Sequence, residues 1–212
     1  MTRALLLLLL VGCAQVPPPA LESMKEEAPR GIAEAQRRDL APTGTRVLRS
    51  GKPLIDVWFR SAVPTAGPRT GKGILYGALI PGSLIGVVRV HDGASDFKGQ
   101  KIAAGLYTLR YAVQPDDGDH FEVTESRDFL LLCEAAEDAT PEALDAKALQ
   151  KLSSRINGKK HPSVLSLTAG KGGARPRVGT EPAREKTVLE VEVPASGGKS
   201  IGLAIVVAGK AE

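Results

Sequence analysis

The sequence predicts a mainly β protein, an antiparallel β-sandwich of about eight or nine strands with one helix inserted at about 140–157. Three observations predict it. Short apolar, strand-favouring runs recur between Gly/Pro turns; the run Leu106 to Val113 alternates with period two; and only the stretch after Thr140 keeps helical spacing. No repeat with a period of about 20 to 50 residues exists, which excludes a solenoid.

The elements begin with an export leader, residues 1–13. Arg3 supplies a positive n-region, and Ala4 to Val11 is an uninterrupted apolar run. As a helix that run is about 12 Å long. A membrane span takes about twenty such residues, so the stretch reads as a signal peptide and not as an anchor helix. Leu10-Val-Gly-Cys13 resembles the lipobox of bacterial lipoproteins. The resemblance implies cleavage at Cys13, diacylation of that cysteine, and a protein held on the periplasmic or cell-surface face of a bacterial membrane.

Residues 14–44 read as a flexible tether. Val16-Pro-Pro-Pro19 cannot continue a helix. Ala20 to Leu40 is charged, interrupted by Pro29 and Gly31, and shows no sustained apolar face, so a core element is not expected there. A free chain of about 30 residues has a root-mean-square reach near 30 Å.

A single domain is expected over 45–212. Arg46 to Arg49 and Leu54 to Phe59 are the first candidate strands, and Pro64 to Gly73 is loop by composition. Ile74 to Ile80 and Ser83 to His91 follow as apolar runs around Pro81-Gly82, a pair suited to the centre of a type II turn. In Leu106 to Val113, Tyr107, Leu109, Tyr111 and Val113 alternate with Thr108, Arg110 and Ala112, and the strand ends at the turn chemistry of Gln114 to Asp119. Phe129 to Cys133 is an apolar run suited to a central strand, and Tyr107, Leu109, Tyr111 and Leu131 are expected in the core. Thr140 offers an N-cap, Pro141 a first helical residue and Glu142 a favourable charge. Leu144, Ala148, Leu152 and Ile156 then recur every four residues until Gly158. Ser163 to Thr168, Thr187 to Val193 and Ile201 to Val207 complete the strands, with a Gly/Arg/Lys/Pro-rich loop over 169–186.

The phrase Ile102-x-x-Gly-x-Tyr-x-Leu resembles one found in prealbumin-like and carboxypeptidase-regulatory-like sandwiches. More of the chain, from Leu75 through Leu167, is similar to a family of secreted bacterial β-sandwich proteins of unassigned activity. The residues that carry the likeness are Tyr76-Gly-Ala-Leu79, the Gly-x-Tyr-x-Leu-Arg-Tyr strand Gly105 to Tyr111, Asp117-Gly-Asp-His120, and the Arg-Asp-Phe-Leu-Leu-Leu strand Arg127 to Leu132. It implies one sandwich domain and brings no activity with it.

Charge is distributed in two blocks. The chain carries 28 Lys+Arg and 24 Asp+Glu. Residues 116–145 hold eleven acids and one base, Arg127, whereas 146–186 hold ten bases and two acids, Glu181 and Glu185. The blocks are expected to neutralise one another, with Lys159, Lys160 and Arg175 as counter-charges. A nucleic-acid binder would interleave its bases with aromatics. No aromatic follows Phe129, so nucleic acid is excluded as a partner. If the basic loop projects alone, Lys171, Arg175, Arg177 and Arg184 are the candidates for contact with an anionic surface.

Few residues suggest chemistry. His91, Asp119 and His120 place imidazoles beside carboxylates, as a metal or ligand site could use. No His-x-His, His-x-x-x-His or Cys-x-x-Cys spacing supports it. Asp116-Asp-Gly-Asp-His120 lacks the register of a calcium loop. Gly67 to Gly73 misses the phosphate-loop spacing and its final Ser or Thr. Nucleophile-elbow and zinc-protease motifs do not occur. Cys133 ends an apolar run and reads as an inert strand cysteine. Trp58, Tyr76, Phe97 and Phe121 are the aromatics left over for glycan contact. The expectation is therefore a non-catalytic, lipid-tethered sandwich that requires no cofactor and binds an envelope protein or glycan. An extracytoplasmic metal-binding protein or hydrolase built on His91, Asp119 and His120 is the alternative.

Overall fold

The computed structural model describes residues 17–114, 126–153, 163–173, 175–181 and 185–209. The fold is mainly β and sandwich-like, with ten strands in antiparallel sheets and two short helices among the described residues. Seven strands form one meander in chain order: β1 (Ala20–Met24), β2 (Gly44–Arg49), β3 (Lys52–Phe59), β4 (Leu84–Val90), β5 (Gly105–Val113), β6 (Asp128–Glu134) and β7 (Val164–Ser166). A smaller sheet has the order β10 (Ser200–Ala208), β9 (Lys186–Pro194), β8 (Arg177–Glu181). Helix α1 (Glu34–Asp39) lies between β1 and β2, and α2 (Ala146–Ser153) between β6 and β7.

The main core lies between the two sheets. Val47, Ile55, Val57, Ile85, Val88, Leu109, Tyr111, Leu130 and Leu132 from the larger sheet meet Leu189, Val191, Val193, Leu203 and Ile205 from the smaller one. Tyr107, Leu109 and Tyr111 are buried, as their alternation predicts, and so is Leu131 of the apolar run. The sheets are stitched at one edge, where Leu167 bridges to Ile205 and the Thr168 N–H donates to the Ala204 carbonyl at 3.0 Å. A second stitch runs through the core. Tyr76 donates its hydroxyl hydrogen to the Thr168 carbonyl at 2.7 Å and accepts the Ala204 N–H at 3.0 Å.

The structure differs from the sequence expectation in four elements. Residues 20–44 are not a free tether. β1 pairs with β2 from Ala20↔Leu48 to Met24↔Gly44, and Met24, Ala28, Ile32 and Leu40 cover Trp58 and Val87 on the outer face of the larger sheet. A strand, a coil segment and isolated bridges each contribute one or two of these apolar residues, and α1 buries only Gln36, so no period appears in the sequence. Second, Ile74 to Ile80 forms turns and not a strand, because Asp128 captures the N–H groups of Leu75 and Tyr76 at 2.6 and 3.2 Å. Gly77 lets that loop close: a Cβ there would sit 1.9 Å from the Arg69 carbonyl oxygen. Third, the basic loop contains β8, whose Arg177 lies opposite Glu190 of β9.

The inserted helix starts later than expected, at Ala146 and not near Thr140, while residues 154–157 of the expected span lie outside the described residues. Its first turn is capped by Asp145, whose carboxylate accepts the Ala148 N–H at 2.8 Å, and not by Thr140. Residues 135–144 instead run over the sheet as a strap, held by Arg110. This side chain is fully buried and directs all five of its N–H groups to acceptors. Nε and Nη2 donate to Asp138 at 2.8 and 2.6 Å. Nη1 donates to the carbonyls of Gly82 and Glu142 at 2.9 and 2.5 Å, and Nη2 also to that of Thr140. Both faces of β5 are thus covered, one by the apolar core and the other by the strap.

Candidate functional site

The half-open charged cluster of the molecule lies on the outer face of β2, β3 and β4. Strand alternation brings Arg46, Asp56 and Arg89 to the same side, and the register sets Arg46↔Asp56 and Asp56↔Arg89 as direct cross-strand pairs. Asp56 is fully buried. Its Oδ1 and Oδ2 accept Arg46 Nε and Nη2 at 2.7 and 2.9 Å, a two-point fork. Its Oδ2 lies 3.0 Å from His91 Nε2 and 3.9 Å from Arg89 Nη1. Burial alone would raise the Asp56 carboxyl, but the Arg46 guanidinium and the His91 ring together outweigh it and hold the group below the usual carboxylate range. The same bond raises the Arg46 guanidinium further.

Around this centre, Arg89 stands 6.0 Å over the Trp58 ring. Trp58 itself is buried, and its indole N–H donates to the Glu26 carbonyl at 2.9 Å. The cluster therefore presents three cationic or polar heads, Arg46, Arg89 and His91, to the surface above one buried carboxylate. That arrangement fixes charge and register. It offers neither a free nucleophile nor a carboxylate with an open lone-pair face.

His91 is the one member of the sequence-predicted trio within the described residues, and its partner is Asp56 of β3; Asp119 and His120 lie outside them. Among the described residues no group of three His, Cys, Asp or Glu side chains is placed to hold a metal ion. Cys13 and Arg184 also lie outside the described residues. The other three basic candidates do not project alone. Lys171 pairs with Glu181 at 3.3 Å, Arg175 with Glu190 and Glu192 at 3.6 and 3.3 Å, and Arg177 with Glu190 at 2.5 Å. Arg175 thus finds its counter-charges on β9 and not in the acidic block, while Lys159 and Lys160 lie outside the described residues. Glu181, at the end of β8, is raised by burial but more strongly lowered by Lys186 and Lys171.

Two of the aromatics left for glycan contact are withdrawn. Trp58 and Tyr76 are buried, and Phe97 is partly buried against Val188, Ala204 and Val206. Phe121 lies outside the described residues. Cys133 is fully buried, and burial pushes its thiol up to about 12. A shallow hollow of about 230 Å³ opens beside α1, lined by Glu27, Glu34, Arg37 and Arg38 among others. Small-molecule pockets are typically about 300 to 1,000 Å³ and mostly apolar, and this hollow is neither. No helix among the described residues is long and apolar enough to cross a membrane.

The signal that sequence reasoning missed is the pairing of Asp56 with Arg46 and Arg89. It was available as an acid in the middle of the apolar strand Leu54 to Phe59, since a buried carboxylate requires a charged partner. No family model, no curated protein and no solved structure matches the chain.

Proposed function

We propose that this chain is a non-catalytic, lipid-anchored extracytoplasmic β-sandwich that binds a protein or envelope partner. The observation that carries the reading is the leader ending in Leu10-Val-Gly-Cys13. The side-chain chemistry agrees with it. Among the described residues, the buried Asp56, Asp128 and Asp138 are each engaged by internal donors: Arg46, the Tyr111 hydroxyl and Arg110 respectively. These are the marks of carboxylates that hold a fold together.

The anchor is short in this reading. Strand pairing begins at Ala20, seven residues after Cys13, so the lipid holds the sandwich within about 25 Å of the bilayer. Fractionation and mass spectrometry test it. The mature protein is expected in the membrane fraction with a diacylated N-terminal Cys13, and Cys13→Ala is expected to release it or leave it unprocessed. A soluble protein with an unmodified N-terminus at Gln15 would refute the anchor.

A further inference from the structure

Resting on the lipidation proposed above, we infer that the end of the sandwich at which β1 enters is a membrane-facing surface for the anionic headgroups of a lipid bilayer. The geometry begins with strand register. Ala20 pairs with Leu48, so the β2–β3 hairpin from Arg49 to Lys52 lies beside the point where the chain enters the fold. Ile55↔Val90 and Val90↔Gly105 place the β4–β5 loop, residues 91–104, at the same end. That loop also reaches the smaller sheet, where Ser95 Oγ accepts the Gly209 N–H at 3.1 Å.

These two loops carry the exposed cations Arg49, Lys52, Lys98 and Lys101. Lys101 lies 3.8 Å from Asp92. Arg49, Lys52 and Lys98 have no ion pair among the described residues. Of the acids at this end, Asp96 and Glu181 are engaged locally, whereas Glu134, which the Tyr107↔Glu134 register sets at the same end of β6, is exposed. Asp96 Oδ1 accepts the N–H groups of Lys98 and Gln100 at 2.9 and 2.8 Å, and Glu181 is held by Lys171 and Lys186 at 3.3 and 3.2 Å. By contrast, Lys171, Arg175 and Arg177 of the basic stretch each face a glutamate.

Chain length then sets the direction. Docking of β1 leaves only the seven residues from Cys13 to Ala20 between lipid and fold, at most about 25 Å. A charged surface acts over about 10 Å at 0.1 M salt, so the entry end is the part of the sandwich the short anchor keeps within reach of headgroups. Each cation there adds about fivefold to the preference for an anionic leaflet.

The test uses the mature lipidated protein in vesicles of phosphatidylcholine with or without phosphatidylglycerol, doped with a headgroup-quencher lipid. A fluorophore is placed through Ser50→Cys at the entry end or through Lys199→Cys at the opposite end; Cys133 is buried and leaves the label unique. In the anionic vesicles the reporter at position 50 is expected to be quenched severalfold more than that at 199. Arg49→Gln/Lys52→Gln/Lys98→Gln, three exposed substitutions, is expected to remove most of that difference. Equal quenching at both positions in a protein shown to be diacylated would overturn the surface while leaving the anchor standing. An unmodified N-terminus in the mass spectrum overturns the anchor and the surface together.

Discussion

Arg110→Met tests the strap over β5 most directly. The guanidinium and Asp138 are both effectively excluded from water, at 0% and 1% side-chain exposure. Removing Arg110 leaves the Asp138 carboxylate with the Thr108 hydroxyl, its remaining partner at 2.5 Å, and takes a donor from the carbonyls of Gly82, Thr140 and Glu142. Breaking a buried ion pair on one side costs about 3 to 5 kcal/mol. A domain is stable by only about 5 to 15 kcal/mol, so the loss is a large share of the whole. In urea, with a slope of about 2 kcal/mol/M, the midpoint is expected to fall by about 1.5 to 2.5 M.

The pair is separable from simple packing by a double-mutant cycle. Asp138→Leu alone leaves Arg110 buried with its charge uncompensated, and the same penalty of about 3 to 5 kcal/mol applies. Arg110→Met/Asp138→Leu removes both charges and is expected to recover most of one single-variant loss. The carbonyls of Gly82 and Thr140 keep the Leu144 N–H and the Gln36 side-chain amide, at 3.2 and 3.0 Å. That of Glu142 still lacks its Arg110 donor, at about 1 to 3 kcal/mol where it stays buried, so recovery stops short of the parent. A loss under about 1 kcal/mol for Arg110→Met, or strictly additive single losses, would refute this account of the strap.

Three further outcomes follow from the same contacts. Leu109→Ala, at 1% exposure between the sheets, is expected to cost about 2 to 5 kcal/mol in equilibrium unfolding. Asp56→Asn is expected to flatten the acid limb of a stability-versus-pH curve. Its folded carboxyl is held below the unfolded value of about 3.9, so its contribution is complete above that pH and lost as pH falls through the folded value; a parent and variant with parallel acid limbs would exclude it. Gly44→Ala brings a Cβ to 2.6 Å from Met24 Cε and 2.7 Å from Trp58 Nε1, and is expected to cost about 1 to 3 kcal/mol with a change in tryptophan emission.

The strands with a regular signal were legible. Period-two alternation located β5, unbroken apolar composition located β6 and β10, and the recurring Val188, Val191 and Val193 located β9, because both faces of those strands or one continuous face are buried. The N-terminal segment was not legible, since its buried residues, Met24, Ala28, Ile32 and Leu40, belong to three different local conformations and share no period. Tyr76 misled in the other direction. Its neighbours Ile74 to Ile80 look like a strand, but a buried carboxylate 52 residues away, Asp128, holds the backbone in turns. A local propensity was overridden by a single long-range acceptor.

Charge was the least legible property, because strand register and not sequence neighbourhood chooses its partners. Two blocks of opposite sign along the chain suggest mutual neutralisation, but in a sheet the partner of a charged residue is chosen by register. Arg177 meets Glu190 because β8 and β9 are adjacent strands, and Arg46 meets Asp56 because β2 and β3 are. Within the acidic block, Asp128 serves two backbone N–H groups and the Tyr111 hydroxyl, and Asp138 serves Arg110 on β5. None of these pairings joins one block to the other. What distinguishes a surface open to a partner is then not the local density of basic residues but which of them the register leaves without a carboxylate. Arg49 and Lys52, which face each other on the last rung of the β2–β3 hairpin, and Lys98, on the β4–β5 loop, stand in that position, whereas the more conspicuous Arg175 and Arg177 lie over β9 glutamates and are neutralised by them.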